Sequence, residues 1–266
     1  MNKPELFQAR WNVRGLLICN LIPIVLFCFW LWPVGNALCT AFDEWFFHLL
    51  NQPLATSPAW RSIWAVGSVR PFDLVVGVIM LCLLLRGDWI FKAAQIRQAV
   101  LGFIAILVLM VVIRTIFEKI CDPLGLQHDS ISMVLADKAV HLSDYYPHLD
   151  KHLQIKDSSN QSFPGDHASV LLIWALFMSM FMRTAGQWLL IWALTLLFMM
   201  PRLVAGAHWG QDDYIGAVFL SLLGLGWGYF TPFAAVASGW LMRLTEPLFR
   251  LGRHIPLIRR MSVISG

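Results

Sequence analysis

Residues 15–42 carry no formal charge, a run longer than the about 20 apolar residues a helix needs to cross the hydrocarbon core of a bilayer. A first membrane span is read over residues 15–32. Its apolar core exceeds the ~7 to 15 residues of a secretory signal, and Leu38 before Cys39 is too large for a lipoprotein-type cleavage site, so the segment is expected to stay as an anchor. The same pattern recurs along the chain. Of its 266 residues 58% are hydrophobic and only 14% charged, with 13 Trp and 18 Phe, which argues against a water-soluble domain. Further spans are expected over residues 71–85, 98–117, 168–182, 184–200 and 214–230. The second and fourth are short and are read as extended by residues such as 60–69 and His167. The fold class is therefore all-α: a polytopic membrane protein of six transmembrane helices.

Six spans place both termini on one side, and the basic residues say which. The tail 1–14, the loop 86–97, Arg183 and the end after Met242 hold 12 of the 20 Lys and Arg with three acids. The opposite side holds 8 basic residues against 13 acidic ones. By the positive-inside rule both termini are cytoplasmic. The polar stretch 118–166 between the third and fourth spans then becomes a long periplasmic loop. No repeat or linker divides the chain, so it reads as a single membrane domain, 1–266, with a core over 15–235 and a basic cytoplasmic tail over 236–266. Arg243, Arg250, Arg253, Arg259 and Arg260, interleaved with apolar residues, suit either an interfacial segment on anionic lipid or a solvated tail.

No block of basic residues points to nucleic acid. Cys19, Cys28, Cys39, Cys82 and Cys121 show no paired spacing, and His128, His141, His148 and His152 in the polar loop fit no ligand pattern, so no metal site is read. A disulfide between Cys39 and Cys121 stays open.

Polar residues at a membrane edge are costly and call for a function. Two clusters stand there. Ser162-Phe163-Pro164-Gly165-Asp166-His167 opens the fourth span, where proline and glycine leave backbone N–H groups free to attract an anion. Arg202, His208 and Asp212 lie between the fifth and sixth spans. Four residues apart on a helix, His208 and Asp212 share a face, so the carboxylate can orient one ring nitrogen and leave the other free. Singly, each residue has a plain structural use: Arg202 can snorkel to headgroups, His167 can cap a helix, and His208 and Asp212 can join two helices. Together they supply a nucleophile with its orienting acid, a guanidinium for phosphate and a general acid for the leaving oxygen. Such phosphoryl transfer needs no metal or other cofactor.

These residues resemble the type 2 phosphatidic acid phosphatase superfamily. Arg202, five residues, His208, three residues and Asp212 match its third motif, with Pro201 in place of a serine. Pro164-Gly165-Asp166-His167 is similar to the second motif but lacks its serine. The F-P-G-D-H form, together with the runs around Lys156-Asp157-Ser158-Ser159 and Arg70-Pro71-Phe72-Asp73, resembles the branch of the superfamily that acts on lipid A. The first motif is degraded where it should fall, between Arg114 and Pro123. The resemblance implies that His208 attacks phosphorus, Asp212 holds its ring, Arg202 binds phosphate oxygens and His167 protonates the leaving group. Gly165 and Asp166 would border the phosphate, and Arg114, Lys119 or Lys156 would supply the missing cation. Asp166 is a carboxylate where a phosphate should bind. It is read as a device against hydrolysis, as a base for the acceptor, or as the ion-pair partner of Arg114 or Lys119.

The implied reaction moves the terminal phosphate of undecaprenyl diphosphate to the 1-phosphate of lipid A through a phosphohistidine in the bacterial inner membrane. Two alternatives are carried: a lipid phosphate phosphatase using water as acceptor, and a non-catalytic protein that binds lipid headgroups. Oligomeric state is not legible.

Overall fold

The computed structural model describes residues 6–252, all-helical apart from turns and isolated bridges. Local chemistry marks the helix ends. Helix α1 (Val13–Leu31) begins where the Asn12 side chain accepts the Gly15 N–H at 3.1 Å and ends at an extended Trp32. Pro33, with no N–H to lose, sits in the first turn of α2 (Pro33–Asn51). Helix α3 (Pro58–Ser68) is capped by Ser57 and stops at an extended Val69. Helix α4 (Arg70–Leu85) follows with Pro71 in its first turn. Of residues 60–69, expected to lengthen the second span, 60–68 thus belong to a separate helix, because a first-turn proline and an extended Val69 interrupt the helical ladder.

The remaining long helices are α5 (Ile96–Cys121), α6 (Asp166–Ser179), α7 (Ala185–Ala205), α8 (Asp212–Tyr229) and α9 (Phe233–Gly252). Thr184 and Gln187 form a reciprocal capping box at the start of α7, and Gly206 ends it at φ +81°. The first turn of α8, Asp212–Ala217, is π-helical. Helix α8 packs against α1, α5 and α6, while α7 packs against α3 and α6. Trp174, Phe177 and Phe163 fill the core between them.

Among the described residues, three helical segments are long and apolar enough to cross a membrane: Val13–Leu31, Ala93–Cys121 and Ala185–Ala205. The pair Asp212–Tyr229 and Phe233–Leu251, bent by 73°, makes a fourth if it counts as one span. Helices α4 and α6, at 16 and 14 residues, are short for that task. The outward faces are apolar: Leu17, Leu21 and Val25 on α1, Val108, Val112 and Ile116 on α5, and Leu189 and Leu196 on α7 are exposed. Contiguous exposed apolar faces on fully hydrogen-bonded helices are what a lipid environment requires.

The polar stretch between α5 and α6 is folded onto the helix ends. Asn51 of α2 accepts the Val140 N–H at 2.7 Å and donates to the Val140 and Val204 carbonyls, each at 3.0 Å. Ile155 bridges Val69, and the Lys156 N–H donates to the Ser68 carbonyl at 2.9 Å. These bonds place Lys156 beside the start of α4. All five cysteines are free, Cys39 and Cys121 both buried. Arg250 pairs with Glu246 on α9, whereas Arg253, Arg259 and Arg260 of the basic tail lie outside the described residues.

Candidate active site

One backbone crossing brings the motif clusters together. The Gly165 N–H donates to the Asp212 carbonyl at 3.0 Å, and the Ser169 hydroxyl donates to the Gly165 carbonyl at 2.6 Å. The start of α6 is thereby pinned to the π-turn of α8. A Cβ at residue 165 would collide with the Asp213 carboxylate, so only glycine permits this approach. The N–H expected at Gly165 for a phosphate is consumed by Asp212, and the residue acts by closeness rather than as a donor. Trp30 of α1 stacks on Phe163 with ring centroids 4.7 Å apart and donates its Nε1–H to Gln211 at 2.8 Å, clamping both clusters from outside.

His208 lies in the turn between α7 and α8 and is 5% exposed. Its Nδ1 donates to the Ser162 carbonyl at 2.9 Å and lies 3.3 Å from Asp212 Oδ2. A carbonyl can only accept, so Nδ1 carries the proton and Nε2 is the nitrogen available for chemistry. Nε2 faces Asp166 Oδ1 at 3.3 Å. Asp212 is fully buried and spends its oxygens on three donors: Trp209 N–H at 2.8 Å, His208, and His128 Nε2 at 2.9 Å. Burial would lower the His208 pKa, but the hydrogen bonds to Asp166 and Asp212 outweigh it and raise the value to about 10.

Arg202 and His167 meet through a third residue. Arg202, 5% exposed at the end of α7, donates from Nη1 to the Ser68 carbonyl at 2.9 Å and from Nη2 to both oxygens of Asp73 at 2.8 and 2.7 Å. His167 donates from Nε2 to the Phe198 carbonyl at 3.0 Å, leaving Nδ1 3.6 Å from the same Asp73. Asp73 thus lies between the guanidinium and the second imidazole. Arg114 pairs with Glu118 at 2.7 Å and reaches Asp166 at 4.0 Å.

Around these residues the surface opens into two adjoining cavities of about 350 and 410 Å³. His208, Asp166, Arg114 and Lys156 line both, His167, Arg202, Asp73 and Arg70 only the first, and Lys119 only the second. All three cations named for the degraded motif therefore converge here. Burial and the nearby Arg70 and Arg202 lower the Lys156 pKa, against an upward pull from Asp166. Asp73 and His128 had no role assigned from the sequence. Asp73 belongs to the Arg70-Pro71-Phe72-Asp73 run, the one signal that could have found it, whereas nothing local marked His128 out from the other loop histidines.

Residues 139–236 match the PAP2 superfamily. The chain is similar to lipid A 1-diphosphate synthase of Escherichia coli (strain K12), 28% identical over 226 residues that cover 83% of this chain and 89% of that protein. No solved structure matches. The matched stretch contains His167, Arg202, His208 and Asp212, so the resemblance carried by the two motifs holds over residues 139–236, and the chain is an enzyme acting on lipid phosphates.

Proposed function

We propose that this protein takes the terminal phosphate of undecaprenyl diphosphate and places it on the 1-phosphate of lipid A by double displacement through His208. The observation that carries this reading is the disposition of His208. One ring nitrogen is committed to a carbonyl, the other lies against Asp166 on the wall of a cavity lined by Arg70, Arg114, Lys156 and Arg202. Donor phosphate entering among these cations draws them from their carboxylate partners. His208 loses its Nε2 proton to water in the cavity, Nε2 attacks the terminal phosphorus, and the P–O bond to the carrier's remaining phosphate breaks. His167 protonates the departing oxygen, and Asp212 steadies the imidazole. The acceptor then receives the phosphoryl group, the P–N bond breaks and its electron pair returns to Nε2.

The same reading makes the chain one membrane domain over residues 1–266, its core over 15–235, with six spans in the bacterial inner membrane. Its two tails are cytoplasmic and its cavity is periplasmic. Two observations support the sidedness: the distribution of Lys and Arg along the sequence, and the gathering of cavity residues from the C-terminal end of α5 and α7 and the N-terminal end of α4 and α6. Purified protein with labelled undecaprenyl diphosphate should release little inorganic phosphate alone and transfer label once lipid A is added. Full-rate phosphate release without acceptor would replace transfer by hydrolysis.

A further inference from the structure

The two cavities differ in what their walls can solvate. In the 350 Å³ cavity the cations Arg70 and Arg202 are followed at once by Val76, Gly77, Met80 and Leu171, on the facing sides of α4 and α6. Gly77 leaves open space, with no atom within 4 Å of where a Cβ would stand. Leu74, Val75 and Val78 of α4 are exposed beside it, so this cavity runs from a cationic floor to an apolar exterior. The 410 Å³ cavity has Lys119 as its own cation, beside the carboxylates of Glu118 and Asp122, and its wall is largely polar: Thr115, Gln127, Ser159 and Gln161, side chains that satisfy hydroxyl and amide groups, stand there with Phe163 and Pro164. Where the two meet stand His208 and Asp166, with Arg114 and Lys156 reaching both.

We infer that these are separate donor and acceptor subsites sharing one nucleophile: the apolar-walled cavity holds a diphosphate attached directly to a hydrocarbon chain, and the polar cavity holds a phosphate monoester on a sugar headgroup. The assignment rests on the phosphotransferase reading and divides its site. A polyprenyl diphosphate passes from anion to hydrocarbon within one bond of its phosphate, so its cavity must change from cationic to apolar over the same distance. A sugar phosphate is flanked by hydroxyl groups and requires polar neighbours. The chemistry balances without a further reactant. In the second half-reaction an oxygen of the acceptor's phosphate dianion attacks the phosphorus held on His208. It brings its own electron pair and has no proton to lose, so the displaced pair returns to Nε2 and only a new P–O–P bond is formed. Water entering the polar cavity would need a base, and Lys119, Arg114 and Lys156 favour a bound anion over it.

Separate KM values for donor and acceptor in the steady state, using the full chain in detergent or nanodiscs, test this division. Gly77→Phe, which fills the apolar cavity, should raise the donor KM by about tenfold and move the acceptor KM less than about twofold. Lys119→Gln should do the reverse, by a similar factor for one charged hydrogen bond, with Lys119→Arg restoring the acceptor KM. The burst of phosphohistidine gives the active fraction, so a poorly folded variant is corrected for rather than misread. Both KM values rising together in either variant, or neither moving, overturns two subsites while leaving the transfer reaction standing. Wild-type protein that forms phosphohistidine yet gives only inorganic phosphate at every acceptor concentration overturns the transfer reading, and the subsites with it.

Discussion

Asp166 and Asp212 hold a proton on His208 that burial alone would remove. With its pKa raised to about 10, the resting imidazole is charged at neutral pH, and attack requires it to lose the Nε2 proton. Phosphoenzyme formation should therefore increase with pH. Asp166→Asn removes one of the two stabilising anions, lowers the His208 pKa and should move the inflection of the pH–rate profile towards acid by about one unit; an unmoved or alkaline-shifted inflection contradicts the contact at 3.3 Å. Asp73→Asn breaks the link between Arg202 and His167. It should lower kcat by about tenfold or more without raising the donor KM, because Arg202 keeps its charge for phosphate. An unchanged kcat would leave Asp73 a purely structural partner. The four residues His167, Arg202, His208 and Asp212 were legible because their spacing lies within short stretches of chain. Asp73 and His128 were not, since they touch Arg202 and Asp212 across 129 and 84 residues. Proximity of that kind is set by packing, which spacing along the chain does not encode.

At the scale of elements, the turn between α7 and α8 controls the nucleophile. Gly206 adopts φ +81°, and a Cβ there would press on Phe47 and Ser132. Gly206→Ala should cost about 1 to 3 kcal/mol of stability and shift His208 two residues on, seen as a lower Tm in detergent together with a fall in kcat; a wild-type Tm would show that the turn tolerates a side chain. The apolar runs made α1, α5, α7 and α8 readable within a few residues of their ends. Helix α2 was not anticipated, because Asp43, Glu44 and His48 interrupt its apolar residues. Its place comes from tertiary contacts: Asp43 accepts the Gln211 N–H at 2.9 Å and the Tyr214 hydroxyl at 3.1 Å. The same contacts accompany the π-turn at Asp212–Ala217, whose extra residue per turn left no mark in the hydrophobic period.

For the whole molecule, the proposed arrangement puts chemistry on the side opposite the basic loops. Single cysteines introduced at Lys138 or Lys151 in a chain stripped of its own cysteines should react with a membrane-impermeant thiol reagent in intact cells, and cysteines at Gln8 or Lys92 should react only after lysis. The opposite pattern would reverse the topology, and equal labelling at all four positions would remove it. Covalent chemistry at one nitrogen, Nε2 of His208, is the step on which the proposed transfer depends. Wild-type protein, quenched during turnover with a diphosphate donor labelled on its terminal phosphate, should carry an acid-labile, alkali-stable phosphoryl group that peptide mapping places on His208, and His208→Asn should carry none. Label on another residue, or continued transfer by His208→Asn, would contradict it.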